Sequence, residues 1–283
     1  MEEAIRKADV LIEALPYIKK FHKKIIVIKY GGSILGEEKI RKGVLEDIVF
    51  LNFMGLEPVL VHGGGPNISD RMRASGKKTE FSDGMRVTDE ETLKVVEEEL
   101  QKLNNLIVEE ITELGAKATG LNGKENIIQT EKKKAEIDLG FVGHITGVNT
   151  DLIRQEINND RIVVILPMGR SSDGKTYNVN ADEAAASIST ALNAEKMVLL
   201  TNVKGIMRNA DDPNSFISTL TVNDTKALIQ NKIIQQGMIP KVNACIETLD
   251  KGVKKAHMID ARIPHGLLLE IFTNTGVGTE IVK

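Results

Sequence analysis

Apolar positions along this chain follow two rhythms. Short β-branched or aliphatic runs, Ile25 to Ile28, Pro58 to Leu60 with Val61, Arg161 to Leu166 and Lys196 to Leu200, read as buried strands. Longer segments between them are helical: Glu37 to Met54, closed by Gly55, then Asn67 to Ala74, and a stretch from Thr88 or Asp89 to about Leu114. Strand, glycine turn and helix occur twice in succession at the start, which predicts βαβ units and a parallel sheet.

Before the first strand, Ile5, Ala8, Ile12 and Leu15 recur at spacings of three and four, so residues 2–21 form a helix that Pro16 should kink or end. Its apolar stripe packs either on its own subunit or on a second one. From Ala116 to Val148 the rhythm shortens. Ala118 to Leu121, Ile127 to Thr130 and Phe141 to Ile145, punctuated by Asn122-Gly123, predict antiparallel hairpins beside the main sheet. Lys132-Lys133-Lys134 reads as a solvated turn, and Asn149 or Thr150 caps a short helix. Ala181 to Leu192 is helical with Asn180 as its cap, and Thr221 opens another helix after a polar loop from Asn209 to Ser215. Lys254 to Asp260 is a strand, Gly266 to Phe272 a short helix, and Gly278 to Val282 a closing edge strand.

The candidate chemistry sits on glycine steps. Lys29-Tyr30-Gly31-Gly32 places a compact positive charge at the carboxyl end of a strand, where open α/β sheets bind ligands. Taken alone, it fits a solvated lysine before a tight turn equally well. His62-Gly63-Gly64-Gly65 leaves bare N–H groups ahead of a helix N-terminus, an anion site, but Ile68 breaks the dinucleotide fingerprint. Arg86, in the loop Phe81 to Thr88, is either a surface residue or a fork for a carboxylate or phosphate. Asn178, Asn180 and Asp182 cluster at a strand-to-helix junction. Lys241 falls in the first turn of a helix begun by Gly237-Met238, where a cation is disfavoured unless it faces an anion.

Gly169 to Thr176 spells G-x-x-x-x-G-K-T, yet the residues after it are β-branched and Asn-rich rather than helical. Asp173-Gly174 reads instead as the turn of a hairpin between Val163–Leu166 and Tyr177–Val179, so the phosphate-loop match is refused.

Composition narrows the class. A formal charge of -3 and 4% aromatics argue against a nucleic-acid binder. The single cysteine, Cys245, excludes an intrachain disulfide framework and belongs on a helical face with Ile239, Val242 and Ile246. No apolar run reaches the ~18 residues of a membrane span, and residues 1–22 lack a signal-peptide core. A cytoplasmic protein is expected.

Taken in order, Lys29-Tyr30-Gly31-Gly32, Val61-His62-Gly63-Gly64-Gly65, Gly84-Met85-Arg86-Val87-Thr88, Asn178-Val179-Asn180-Ala181-Asp182 and Gly237-Met238-Ile239-Pro240-Lys241-Val242-Asn243-Ala244 resemble the motifs of the amino acid kinase family. The resemblance implies a three-layer αβα sandwich around a largely parallel sheet, with an N-terminal helix extension. It also implies residues 1–22 for oligomerisation, 23–180 for the amino acid and 181–283 for ATP. Within the family, the third and fourth stretches are most similar to the branch acting on N-acetyl-L-glutamate.

On that basis Lys29 and Lys241 contact the transferred phosphoryl group, and Asp182 holds both lysines. Gly64 and Gly65 bind oxygens through backbone N–H groups. Arg86 and Asn178 bind the α-carboxylate and acetamido end of the substrate. Gly31, Gly32, Thr201, Asn202, Val203, Lys204, Gly205, Ile206, Gly237 and Met238 line the ATP site, with Mg2+ held mainly by phosphates and no protein metal site. The N-terminal helix implies dimers assembling to a hexamer and inhibition by L-arginine bound at Tyr17, Lys196, His257, Glu270 and Gly276. A relative acting on another acylated amino-diacid, of the lysine-biosynthesis type, and a non-catalytic amino-acid sensor on the same fold are the alternatives.

Overall fold

The computed structural model describes the chain except residues 83, 210, 211, 235, 236, 274 and 275, and the side chains of residues 4, 7, 10, 11 and 213. Parts of two predicted loops, 81–88 and 209–215, therefore lie outside the described residues.

Helix α1 (Glu2–Phe21) leads into strand β1 (Ile25–Tyr30), the short helix α2 (Gly32–Leu35), α3 (Glu38–Phe53), β2 (Glu57–His62) and α4 (Gly65–Ala74). A small hairpin, β3 (Phe81–Ser82) and β4 (Met85–Arg86), precedes the long helix α5 (Glu90–Glu113), whose N-cap Asp89 accepts from the Thr92 N–H at 2.7 Å. Then come β5 (Ala118–Asn122), β6 (Ile128–Lys132), β7 (Gly143–Val148), α6 (Asp151–Asn158), β8 (Ile162–Leu166), β9 (Met168–Arg170), β10 (Thr176–Asn178) and α7 (Ala181–Leu192). The chain closes with β11 (Lys196–Thr201), β12 (Thr219–Thr221), α8 (Val222–Gln230), α9 (Ile239–Asp250), β13 (Lys255–Asp260), α10 (Gly266–Phe272) and β14 (Thr279–Val282).

Among the described residues the central sheet runs β12-β14-β13-β11-β1-β2-β8-β5. Its pairings are parallel except β13 with β14. β1 sits inside it, with β2, β8 and β5 on one side and β11, β13, β14 and β12, all later in the chain, on the other. Period-two alternation sends Val27 and Lys29 to one face, and Ile26, Ile28 and Tyr30 to the other. On the first face Val27, Val61 and Leu199 pack with Ala184 and Ile188 of α7 and Val242 and Cys245 of α9. On the second, Ile28 and Leu60 pack with Leu45 and Ile48 of α3 and Ile107 of α5. This is the three-layer αβα sandwich. Each fully buried aliphatic side chain contributes about 1.5–3 kcal/mol, and burial drives the Cys245 thiol well above its ordinary pKa.

Several expectations need correction. Segment 118–122 is no hairpin arm: α5 carries the chain back across the sheet, so β5 enters parallel to β8. The hairpin around Asp173-Gly174 pairs β10 with β9, not with Val163–Leu166, which stay in the core sheet as β8. β14 is not the edge, because the three-residue β12 pairs outside it. Lys133 is tied to Glu183 rather than simply solvated. α1 continues past Pro16 to Phe21; it runs along the surface there, and water can satisfy the carbonyl that proline leaves unbonded. Ile5, Ile12 and Leu15 remain exposed, while Tyr17 packs edge-on to Phe272 at 6.4 Å.

Candidate active site

The two glycine steps meet at the carboxyl ends of β1 and β2. A Cβ on Gly32 would lie 2.8 Å from the Gly64 nitrogen and 2.9 Å from that of Gly65, so the close approach of the turns requires glycine at 32. Gly64 is the N-cap of α4, so the first N–H groups of that helix open on the same space.

Lys29 leaves β1 on the face occupied by α7. Asn180 caps α7, its side chain accepting from the N–H groups of Asp182 at 2.8 Å and Glu183 at 3.2 Å. That cap places the Asp182 carboxylate in the first turn, where the helix dipole favours a negative charge. Asp182 Oδ1 stands 2.8 Å from Lys29 Nζ, and Oδ2 accepts from Lys241 Nζ at 3.0 Å. Lys241, in the first turn of α9, thus has the counter-charge its position calls for. Burial alone would raise the Asp182 pKa, but the two ammonium groups outweigh it and hold the carboxyl below its ordinary value. Burial draws the Lys29 ammonium down, against the pull of Asp182.

Lys29, Gly32, Gly64, Gly65, Arg86, Asn178, Asp182 and Lys241 all line one cleft of about 280 Å3. Arg86 is buried, stacks over Phe81 with its Cζ 4.8 Å from the ring centre, and donates to Gly65 O at 2.9 Å and Ser69 Oγ at 2.8 Å. Asn178 Nδ2 donates to Thr88 Oγ1 at 3.2 Å, which in turn donates to Arg86 O at 2.8 Å. The cleft therefore offers paired cations, glycine N–H groups, a guanidinium and a carboxamide along one lining, with the guanidinium bonded to the second glycine turn.

The remaining candidates lie elsewhere. Thr201 ends β11, the strand beside β1, and Asn202 to Ile206 follow it; the Thr201 hydroxyl donates to Val203 O at 2.9 Å, and the Ile206 N–H donates to Thr279 Oγ1 at 2.8 Å. Gly237 and Met238 precede α9, with Met238 its N-cap. Among the described residues neither group, nor Gly31, lines the 280 Å3 cleft.

Tyr17, Lys196, His257, Glu270 and Gly276 share a second cavity of about 180 Å3 beside α1 and α10. There His257 Nδ1 lies 2.7 Å from Glu270 Oε1, and Glu270 Oε2 accepts from the N–H groups of Val277 at 2.8 Å and Gly278 at 3.0 Å. Burial opposes it, but these bonds hold the Glu270 carboxyl below its ordinary pKa, while burial lowers that of His257.

Sequence reasoning missed three supports. Thr88 and Ser69 orient Asn178 and Arg86, and Arg41 braces the turn after Lys29. Arg41 forks onto Glu110 with both N···O distances at 2.7 Å and donates to Leu35 O at the end of α2, also at 2.7 Å. A charged position, Arg41, inside the otherwise amphipathic α3 was the only local signal for it.

The model of the amino acid kinase family matches residues 24–260. Acetylglutamate kinase of Petrotoga mobilis is 49% identical over 99% of this chain and 95% of its own length. The enzyme of the same name from Methanocaldococcus jannaschii is 46% identical over 100% and 98%. Among solved structures, N-acetylglutamate synthase from Neisseria gonorrhoeae complexed with coenzyme A and N-acetyl-glutamate superposes with a TM-score of 0.88 at 26% identity, over 98% of this chain. This chain spans 63% of that protein's length. The same synthase complexed with coenzyme A and L-arginine gives 0.83 at 26% identity, over 98% of this chain and 65% of the synthase. Carbamate kinase from Giardia lamblia shares the fold, with a TM-score of 0.68 at 18% identity over 92% of this chain and 99% of its own.

Proposed function

The chain belongs to the amino acid kinase family, and from that premise we propose that it transfers the γ-phosphoryl group of ATP to the side-chain carboxylate of N-acetyl-L-glutamate. What carries this is the cation–carboxylate–cation set of Lys29, Asp182 and Lys241 facing two glycine turns. Relatives matched over nearly their whole length bear the name of that activity.

The chemistry suits the residues. A side-chain carboxylate, with a pKa of about 4.3, is ionised at neutral pH and attacks without a general base. What remains is positioning and neutralising charge on the moving phosphoryl group. Lys29 and Lys241 reach it from two sides, Asp182 keeps them in register, and the Gly64 and Gly65 N–H groups donate to its oxygens. Arg86 and Asn178 hold the α-carboxylate and acetamido group, turning the side-chain carboxylate toward the lysines. ATP lies along Gly31, Gly32, Thr201 to Ile206 and the Gly237-Met238 turn. Mg2+ comes bound to its phosphates. Residues 23–180 hold the amino acid and 181–283 the nucleotide, in a cytoplasmic enzyme. No helix among the described residues is long and apolar enough to cross a membrane.

The test is ATP-dependent acyl phosphate formation trapped with hydroxylamine. N-acetyl-L-glutamate gives hydroxamate far faster than glutamate, aspartate or a longer acylated amino-diacid. Equal or better turnover of another acceptor overturns the assignment.

Regulation is part of the same reading. L-arginine binds in the cavity of Tyr17, Lys196, His257, Glu270 and Gly276, its guanidinium toward Glu270, and the exposed Ile5, Ile12 and Leu15 join dimers into a hexamer through α1. The five residues share one cavity, and a structural relative has been solved with L-arginine. Deleting residues 1–15 spares Tyr17 and Phe21, which pack on the body. Light scattering then finds dimers, turnover is kept and arginine inhibition weakens; a truncated protein that stays hexameric contradicts this role for α1.

A further inference from the structure

His62 ends β2, one residue before the glycine turn, and its side chain is fully enclosed. Its ring nitrogens meet different partners: Nε2 lies 3.2 Å from Asn104 Nδ2, and Nδ1 lies 3.1 Å from the carbonyl oxygen of Gly63. Asn104 decides the tautomer. The same Nδ2 donates to the carbonyl of Val164 at 3.0 Å, and that oxygen can only accept. The amide is therefore fixed with its NH2 toward β8 and the imidazole. Its oxygen faces Gly120 of β5, where any Cβ would come within 2.0 Å of it. With Nε2 accepting, the one proton of the neutral ring sits on Nδ1 and is donated to Gly63 O. Burial keeps the ring neutral by lowering its pKa to about 4.

The bond has a consequence for the cleft. In a trans peptide the carbonyl of one residue and the N–H of the next point to opposite sides. Tying Gly63 O to the buried ring turns the Gly64 N–H the other way, toward Gly32 and the space lined by Lys29, Asp182 and Lys241. We infer that His62, locked by Asn104 as the Nδ1–H tautomer, is a positioning residue that aims the Gly64 N–H at the transferred phosphoryl group. It touches no substrate itself. This role rests on the phosphoryl-transfer reading of the cleft.

Two near-isosteres separate the contacts. In His62→Asn the carboxamide N–H stands close to the place of Nδ1–H and still reaches Gly63 O. In His62→Gln the carboxamide takes the place of Nε2 and only the link to Asn104 survives. His62→Asn keeps most of the turnover, whereas His62→Gln loses about 10²-fold in kcat with little change in either KM, the effect of misaiming one transition-state donor. If both variants lose turnover equally, in step with their melting temperatures, the residue is only structural and the inference fails. The wild-type protein gives a second readout that needs no variant to fold. Nitrogen-15 NMR at neutral pH finds His62 protonated at Nδ1 and bare at Nε2, and a proton on Nε2 overturns the proposal. Because that spectrum does not depend on activity, a wild-type protein that makes no acyl phosphate sinks the reading of the cleft separately.

Discussion

Lys29→Ala lowers kcat by about 10²- to 10³-fold, the range seen when one preorganised transition-state donor is removed, while KM for N-acetyl-L-glutamate barely moves. The asymmetry follows from where the ammonium stands. Lys29 is held by Asp182 in the cleft, and the proposed function gives it the phosphoryl group while Arg86 and Asn178 bind the amino acid. An interaction made mainly in the transition state appears in kcat and kcat/KM together. The substitution leaves Asp182, only 5% exposed, with Lys241 as its remaining ionic partner, so some stability is lost as well. Urea denaturation beside the kinetics separates the two effects: the variant remains folded at assay temperature and is still slow. Unchanged turnover removes Lys29 from the clamp, and a raised KM with intact kcat makes it a ground-state binder instead.

Gly32→Ala is the second large effect, and it acts through shape alone. The added methyl meets two backbone nitrogens, Gly64 at 2.8 Å and Gly65 at 2.9 Å, with the Gly64 Cα at 3.1 Å. Backbone cannot rotate aside as a side chain can, so the two turns must separate. Misplacing a catalytic group by about 1 Å costs on the order of 10²-fold in rate, and overpacking of this kind costs about 1–3 kcal/mol. Gly65→Ala is the control for stability, because nothing lies within 4 Å of a Cβ there. Steady-state kinetics and denaturation midpoints for the pair check this. If Gly32→Ala keeps wild-type turnover, the two glycine turns do not hold the phosphoryl group between them.

The contrast between legible and illegible features is a matter of range. Strands β1, β2, β8 and β11 announce themselves through short contiguous β-branched or aliphatic runs, and the caps Asn180, Thr221 and Asp89 through residues adjacent to the helices they start. The refusal of the phosphate-loop pattern at 169–176 also rested on local residues, and the chain is extended there rather than helical. Strand direction is different. Alternation in Ala118–Asn122 looks the same in a parallel or an antiparallel partner, and only the 24-residue return through α5 decides it. Three residues of β12 carry no period at all. In the site, the lysines and Asp182 were visible because each sits on a glycine step or a helix start. His62 with Asn104 and Arg41 with Glu110 were not, since partners 42 and 69 residues apart leave no joint pattern in a single sequence.

The arrangement of the cleft also predicts which carboxylate reacts. In the proposed function Arg86 and Asn178 hold the α-carboxylate and the acetamido group of N-acetyl-L-glutamate, so the side-chain carboxylate is the one delivered to Lys29 and Lys241. The decisive measurement is the structure, by fragmentation mass spectrometry, of the hydroxamate trapped from ATP and N-acetyl-L-glutamate. The predicted product is the side-chain hydroxamate alone; the α-hydroxamate, or no hydroxamate above the enzyme-free control, contradicts the account.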